Sequence, residues 1–288
     1  MKAIILAGGA GTRLYPASLP ISKILLPVYD KPMIYYPLAV LMQAGIKEIL
    51  IITNPEDDAN FKKLLKDGSQ WGLQISYKIQ YEKRGIADAF LLGEDFIGQE
   101  PCALILGDNI FYGDNLEKML CEACQNKSGA CVFAYEVPDP QRFGVVEFDE
   151  QGKALSLEEK PKNPKSNFAV TGLYFYDNKV VSYAKTLTPS ARGELEITDL
   201  NKIYLEKNAL NVVRLPKDIA WLDTGTYDSV FQANLLVKEY QEKHGQEIAC
   251  LEEIAVQKQF ISAESLQKAT SSWPDNYYYN YIREKVLK

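Results

Sequence analysis

The sequence predicts an α/β fold: a doubly wound, mixed but mainly parallel sheet, with a small antiparallel addition and C-terminal helices. Three observations carry this. Lys2–Ala7 (KAIILA), Glu48–Thr53 (EILIIT) and Ala103–Leu106 (ALIL) are short apolar runs without alternation, the pattern of strands buried on both faces. Segments with helical spacing lie between such runs, so successive strands connect by crossovers and run parallel. Two of the runs stop at glycine, in Gly8-Gly9-Ala10-Gly11 and Gly107-Asp108-Asn109, and the carboxyl edge of an open α/β sheet is where ligands bind.

The elements follow in order. Met33–Ala44 reads as a helix ended by Gly45, and Glu48–Thr53 as a buried strand. Asp57–Asp67 carries Phe61, Leu64 and Leu65 at helical spacing, with Gly68 after it. Gln74–Gln80 alternates as a strand. A helix is expected over Gly85–Phe96, a strand over Ala103–Leu106, a helix over Asn115–Gln125 and a strand over Ala130–Val137. The rhythm changes at Pro138. Gly144–Phe148, Ala154–Leu157 and Ala169–Phe175 are short strands joined by turns such as Asp149–Gly152, which makes the antiparallel addition. Helices return at Asn178–Lys185 and Glu196–Asn208, followed by a strand at Asn211–Leu215. From Thr226 onward the chain is almost wholly helical, with a break around Ser271–Asp275. No internal repeat or low-complexity linker interrupts it. The expected organisation is one α/β unit over residues 1–226 and a helical appendage over 227–288.

Composition narrows the function. The chain has 288 residues, 47% of them hydrophobic and 24% charged, as in a globular protein. A net charge of −6 argues against a nucleic-acid partner, which would call for a basic face. No apolar run reaches the ~18 residues of a membrane span, and the first residues enter a strand without a basic leader. A cytoplasmic protein is the expectation. Five cysteines are scattered, and Cys121-Glu-Ala-Cys124 falls in a helical pattern, which favours reduced, structural thiols. The single histidine, His244, lies in a polar helix, which disfavours Ser-His-Asp or multi-histidine metal chemistry.

The residues at the two glycine clusters carry chemistry. Glycines in the first loop let peptide N–H groups approach phosphate oxygens, and Arg13 and Lys23 add cations to the same loop. Backbone donors with Arg and Lys suit a polyphosphate. The loop is neither a dinucleotide fingerprint, lacking the third glycine, nor a Walker A loop, lacking Gly-Lys-Ser/Thr; the bland alternative is a turn with solvated cations. Asp108 follows a buried strand into the same crevice and suits a hard divalent cation. Asp223, after apolar Ile219–Leu222, reads equally as a metal ligand or as the cap of a turn. Gln80 offers an amide donor and acceptor able to read the imide edge of thymine or uracil. Lys160 reads as a solvated charge from its neighbours alone, and Tyr174 equally as core or site.

GGAGTRL, SKILLPVYDKPMIYYPL, LGDNIFYG, RFGVVEF, LEEKP, TGLYFYD, ARGELEITD and WLDTGT occur in that order. Together they resemble the sugar-phosphate nucleotidylyltransferases, most specifically over Lys2–Thr226, and within them the branch that uses dTTP. The resemblance implies Mg²⁺-dependent transfer from dTTP to glucose 1-phosphate, giving dTDP-glucose and pyrophosphate. It implies that Leu6, Gly8, Gly9, Gly11, Thr12, Arg13, Gln80, Gly85 and Asp108 bind the nucleotide. Arg13, Lys23 and Asp108 would be catalytic, and Asp108 and Asp223 would hold the metal. Lys23, Lys160 and Arg192 would hold the sugar phosphate, with Gly144, Glu159, Thr171, Gly172 and Tyr174 around the sugar. It also implies a homotetramer.

Two positions depart from the family pattern. Ile24 stands where a Gln usually follows the lysine, and Tyr81-Glu82-Lys83-Arg84 replaces a Pro/Ser/Asp-rich loop, which leaves UTP or another hexose 1-phosphate as alternatives. A nucleotide-sugar-binding regulator without activity and a triphosphate hydrolase or kinase are the readings from other classes. The retained Arg13, Lys23, Asp108 and Asp223 argue against the former, and the missing Walker lysine against the latter. The resemblance further implies a second, regulatory nucleotide site among the C-terminal helices near a subunit interface. Here Val256-Gln257-Lys258 lacks the arginine often found after EEIA, and Asp114 adds an acid, so weak feedback inhibition is expected.

Overall fold

The computed structural model describes residues 1–9, 11–125, 128–270 and 273–287; Ala10 of the glycine loop and Ser271-Ser272 of the expected break lie outside them. The chain runs β1 (Lys2–Leu6), β2 (Pro27–Val28), β3 (Lys31–Pro32), α1 (Tyr35–Gln43), β4 (Glu48–Thr53), α2 (Asp58–Leu65) and β5 (Gln74–Ile79). Next come α3 (Asp88–Leu92), α4 (Glu94–Ile97), β6 (Cys102–Leu106), β7 (Asn109–Tyr112), α5 (Leu116–Gln125) and β8 (Ala130–Glu136). Then follow β9 (Gly144–Phe148), β10 (Ala154–Glu159), β11 (Phe168–Tyr176), α6 (Val180–Ala184), α7 (Ile197–Glu206), β12 (Leu210–Arg214) and β13 (Ala220–Asp223). The chain closes with α8 (Tyr227–His244), α9 (Leu251–Gln257), α10 (Ala263–Thr270) and α11 (Tyr277–Tyr281). No helix among the described residues is long and apolar enough to cross a membrane.

The main sheet has the order β10-β9-β11-β6-β1-β4-β5, with β8 on β11 and β12 on β8. Strand β1 sits between two parallel neighbours, which is why Ala3, Ile4 and Ile5 are fully buried and its sequence shows no alternation. Ala3 and Ile5 face one apolar layer with α1, α5 and the C-terminal helices. Ile4 faces the other, with Phe90 of α3, Val180 of α6 and Leu200 of α7. Register decides what the sheet edge presents. Leu6 pairs with both Ile52 and Leu106, and Thr53 pairs with Ile79. The four strands therefore end at one level, which brings the glycine loop, Asn54, Gln80 and Asp108 to a common edge.

One expectation changes, and the tertiary structure adds two features. The helix expected over Gly85–Phe96 is two short helices meeting at Gly93, where a Cβ would lie 2.8 Å from Ile4 Cδ1. The antiparallel addition is present, and β11 joins it to the parallel sheet by pairing with β6 on one side and with β9, followed by β10, on the other. Strands β7 and β13, not anticipated as a pair, form a small antiparallel sheet of their own.

The C-terminal helices are tied to the β2–β3 hairpin by buried charges. Lys31 forms ion pairs with Asp30 (2.7 Å) and Glu247, and the Lys31 and Glu247 side chains are each 1% exposed. Gln241 Nε2 donates to Glu247 at 2.6 Å. Burial pushes the Glu247 carboxyl up from its ordinary 4.5 to about 7, Lys31 opposing the shift and Asp30 adding to it. A carboxyl that holds its proton more tightly when folded gives stability that is full below the unfolded value and lost as pH rises through the folded one. Folding stability is thus expected to fall between pH 4.5 and 7, and Glu247→Gln to flatten that slope. Urea midpoints of both proteins across this window check it; parallel slopes would refute the assignment.

Candidate active site

The glycine loop is shaped by its neighbours as much as by its own residues. Gly107 N–H donates to Leu6 O at 3.0 Å, which joins the ends of β1 and β6. A Cβ on Gly8 would lie 2.9 Å from Gln80 Oε1, so a side chain there would push the Gln80 amide off the loop. Asn54 clamps Gly9 from both sides: its Oδ1 accepts from Gly9 N–H at 3.3 Å and its Nδ2 donates to Gly9 O at 2.9 Å. Gly11, in the left-handed region with φ +59°, starts the 3₁₀ turn Thr12–Leu14 that carries Arg13. A second 3₁₀ turn, Lys23–Leu25, carries Lys23. Its Ile24 is buried, and its side chain covers Gly107 at distances that leave no room for a Cβ there. The family's polar residue is thus replaced by a core contact.

Two carboxylates meet because β7 and β13 pair antiparallel with Asp223 opposite Asn109. Thr224 locks the junction: its N–H and its hydroxyl donate to Asp108 O at 3.0 and 2.7 Å. Lys23 Nζ forms an ion pair with Asp108. Burial pushes the Asp108 carboxyl up, but the Lys23 charge and hydrogen bond, with the Asn109 amide, bring it net below its ordinary value. Asp223 goes the other way, raised by burial and by the Asp108 charge despite Lys23, Arg13 and Arg142. Arg13 lies over Gly225, where a Cβ would be 3.2 Å from both Arg13 Nη2 and Asp223 Oδ1. Asp223 does not cap α8, whose N-terminus is closed by Thr226 and Ser229 in a reciprocal capping box.

A cavity of about 490 Å³ opens beside this pair, lined on one side by Arg13, Asp108 and Asp223 and on the other by Gly144, Glu159, Lys160, Gly172, Tyr174 and Thr198. Glu159 accepts from Thr198 Oγ1 at 2.5 Å and from Arg192 Nη2 at 3.1 Å. Arg192 also reaches Glu196 (2.8 Å) and Glu194 (3.4 Å), so acids fix this cation beside the cavity. Lys160, at φ +44°, holds its Nζ 3.5 Å from Glu159 Oε1. Thr171 is buried with its hydroxyl unbonded, and Tyr174 is buried with burial pushing its hydroxyl strongly up. Thr171-Gly172 forms the irregularity in β11, between Val170 and Tyr174.

Three positions were not singled out in the sequence. Asn109 donates to Asp108 Oδ1 (3.1 Å) and accepts from Gly172 N–H (3.0 Å) and Trp221 Nε1 (2.7 Å). Its adjacency to Asp108 was the available signal. Asn54 and Thr198 carried none, because their partners are 45 and 39 residues away. Gly85 has a further reason to be glycine: a Cβ would lie 2.5 Å from Leu195 O.

Among the described residues no cluster of three or more His, Cys, Asp or Glu forms a full metal cage. Two carboxylates, one of them raised by the other's charge, fit Mg²⁺, which is held by one or two carboxylates and completed by phosphate oxygens and water.

A strand edge with a clamped glycine loop, two cations and two facing acids beside a cavity is an arrangement for phosphoryl substrates. The family model for nucleotidyl transferases matches residues 2–240, and the chain belongs to that family. Within it, the chain is 56% identical to the glucose-1-phosphate thymidylyltransferase of Neisseria meningitidis serogroup A over 100% of both chains. It is 50% identical to that of Mycobacterium tuberculosis over 99% of this chain and 98% of the other. A crystal structure of a UDP-glucose pyrophosphorylase complexed with UDP-glucose superposes with a TM-score of 0.72 at 25% identity, covering 84% of this chain and 99% of that one.

Asn109→Ala would leave the buried Gly172 N–H and Trp221 Nε1 without acceptors, at about 1–3 kcal/mol each. A loss of roughly 3 kcal/mol in urea unfolding is expected; a change below ~0.5 kcal/mol, typical of a surface site, would remove Asn109 from this role.

Proposed function

We propose that the chain transfers a thymidylyl group from dTTP to glucose 1-phosphate, giving dTDP-glucose and pyrophosphate. The observation that carries this is the convergence of the glycine loop, Arg13, the Lys23–Asp108 pair and Asp223 at one sheet edge beside the cavity. The sugar-phosphate oxygen attacks the α-phosphorus, a new P–O bond forms, and the α–β bond breaks with its electron pair leaving on pyrophosphate. No covalent intermediate is required, since both substrates bind together and the protein positions and neutralises. In this reading the loop N–H groups and Arg13 hold the triphosphate, and Arg13 stabilises charge on the leaving pyrophosphate. Lys23 exchanges its ion pair with Asp108 for the α-phosphate and the incoming phosphate. Lys160 and Arg192 receive the sugar phosphate, while Glu159, Gly144, Thr171, Gly172 and Tyr174 surround the hexose. Leu6, Gly8, Gly9, Gly11, Thr12, Arg13, Gln80, Gly85 and Asp108 together bind the nucleotide, with Gln80 and Gly85 at the base. Bound Mg²⁺, held by Asp108 and Asp223, would neutralise phosphate charge. Residues 1–226 act as the catalytic unit and 227–288 as the interface of a homotetramer, as the resemblance implies.

Pyrophosphate release, measured with glucose 1-phosphate, Mg²⁺ and each of dTTP, UTP and the other triphosphates, tests the reading. It fails if dTTP supports no turnover, and UTP as the faster donor would favour the alternative substrate. Asp108→Asn is expected to lower kcat at least 100-fold, by analogy with the removal of one charge-stabilising group, in a protein that keeps its fold and a cooperative unfolding transition, at a midpoint lowered by the loss of the Lys23 pair. Retention of most activity would sink the metal assignment.

The expectation of weak feedback inhibition gains support from the C-terminal helices. A cavity of about 240 Å³ between α1, α8 and α9 is lined by Asp114, Glu247 and Glu253 and by no cation among the described residues; Glu247 is already paired with Lys31, which leaves Asp114 and Glu253 as its repelling acids. Lys258 donates to Glu117 at 2.7 Å, which commits its charge elsewhere. A dTDP-sugar diphosphate would be repelled there. Inhibition by dTDP-rhamnose is therefore expected to be weak and relieved by saturating dTTP; tight inhibition that dTTP leaves intact would show a working second site.

A further inference from the structure

We propose that Asp88 is a positioning residue that sets which bases the protein accepts, by fixing the orientation of the Gln80 amide. This rests on the reading of Gln80 as the contact to the base. Gln80 follows β5 at the ligand edge, anchored by its N–H to Thr53 O at 2.8 Å. Its Nε2 donates to Asp88 Oδ2 at 3.1 Å, with Gln80 6% and Asp88 1% exposed. The other oxygen, Asp88 Oδ1, is held by Arg84 Nη2 at 2.6 Å. Asp88 starts α3, three residues beyond Gly85, so the loop that differs from the family also supplies the partner of its acid.

The chemistry of the pair leaves one arrangement. An ionised carboxylate only accepts hydrogen bonds, so the amide must turn its NH₂ toward Asp88. A flipped amide would set its carbonyl oxygen against a buried carboxylate, and Arg84 is already engaged with the far oxygen. The carbonyl oxygen is thereby directed toward the glycine loop, next to Gly8. It has no protein hydrogen-bond partner among the described residues, and it is not among their buried unsatisfied atoms. Asp88 takes one amide hydrogen, leaving the carbonyl and the second hydrogen side by side for a ligand.

That fixed order of acceptor and donor matches an imide edge, where a ring N–H lies beside a carbonyl, as in thymine and uracil. Cytosine presents a ring nitrogen that accepts and an amino group that donates, so the fixed carbonyl would meet a lone pair. An asparagine at 88 could offer its own NH₂ to a flipped Gln80, and the flipped order suits cytosine. Specificity here is held one residue behind the contact.

Binding of dTTP and dCTP, measured calorimetrically with Mg²⁺ on the full-length protein, tests this without relying on turnover. Wild type is expected to favour dTTP strongly. Asp88→Asn should shift the dTTP:dCTP affinity ratio toward dCTP by on the order of tenfold or more, the scale set when a site's hydrogen-bonding pattern no longer rejects the analogue. Arg84→Ala, at a side chain 51% exposed, keeps the fold safe if Asp88→Asn does not. It leaves the Asp88 carboxylate in place as an acceptor, so its ratio should stay that of wild type. General damage lowers both affinities and leaves their ratio alone. An unchanged ratio in folded Asp88→Asn, or a shift toward dCTP in Arg84→Ala with the carboxylate intact, would overturn the role of Asp88. Binding of dTTP without any nucleotidyl transfer would instead overturn the proposed reaction and leave the base reading standing.

Discussion

Asn109 is the constraint on which the site depends. One side chain holds the Asp108 carboxylate, the backbone of the β11 irregularity at Gly172 and the Trp221 indole of β13. These belong to three segments far apart in the chain: Gly172 lies 63 residues and Trp221 lies 112 residues from Asn109. A buried amide with its carbonyl oxygen shared by two donors has no freedom left, so the acid beside it is placed by the fold. The requirement runs both ways: a Cβ on Gly172 would lie 2.6 Å from Asn109 Oδ1, so the glycine and the amide presuppose each other.

Charge in the site is arranged in the same indirect way. Asp108 is held below its ordinary value because Lys23 lies against it, while Asp223 is raised because Asp108 is its neighbour. Two acids and two cations then share one edge without full neutralisation of each, a state suited to anionic substrates that bring their own charge. On the far side of the cavity Arg192 is fastened by Glu159, Glu194 and Glu196. The cation is positioned by acids while its guanidinium still reaches Glu159 at the cavity wall. Thr198 completes this support by donating to the other Glu159 oxygen.

The departures from the family pattern acquire physical reasons in the fold. Ile24 sits in the apolar layer above Gly107, so the position is satisfied by packing. Arg84 of the altered loop is paired with Asp88, and through Asp88 with Gln80. The C-terminal half shows the same exchange of one arrangement for another, since Lys258 is paired with Glu117 outside the acidic cavity.

The alternation of apolar runs with helical segments was enough to predict that β1, β4 and β6 run parallel, because burial on both faces leaves its mark in each run separately; their order in the sheet came only with the fold. The glycine loop and Asp108 were legible for a similar reason, since each follows directly on a strand end that the sequence marks, while Arg13 and Lys23 were legible as cations in the segment after the first of them. Asn54, Thr198 and the role of Asn109 were not, since a hydrogen bond across 39 to 63 residues has no periodicity to betray it. The pairing of β7 with β13, the break of the helix at Gly93 and the continuity of the antiparallel strands with the main sheet belong to the same group. Local spacing determined which residues stand at strand ends. Register and close backbone contact, which exist only once distant segments meet, decided which of those ends face one another.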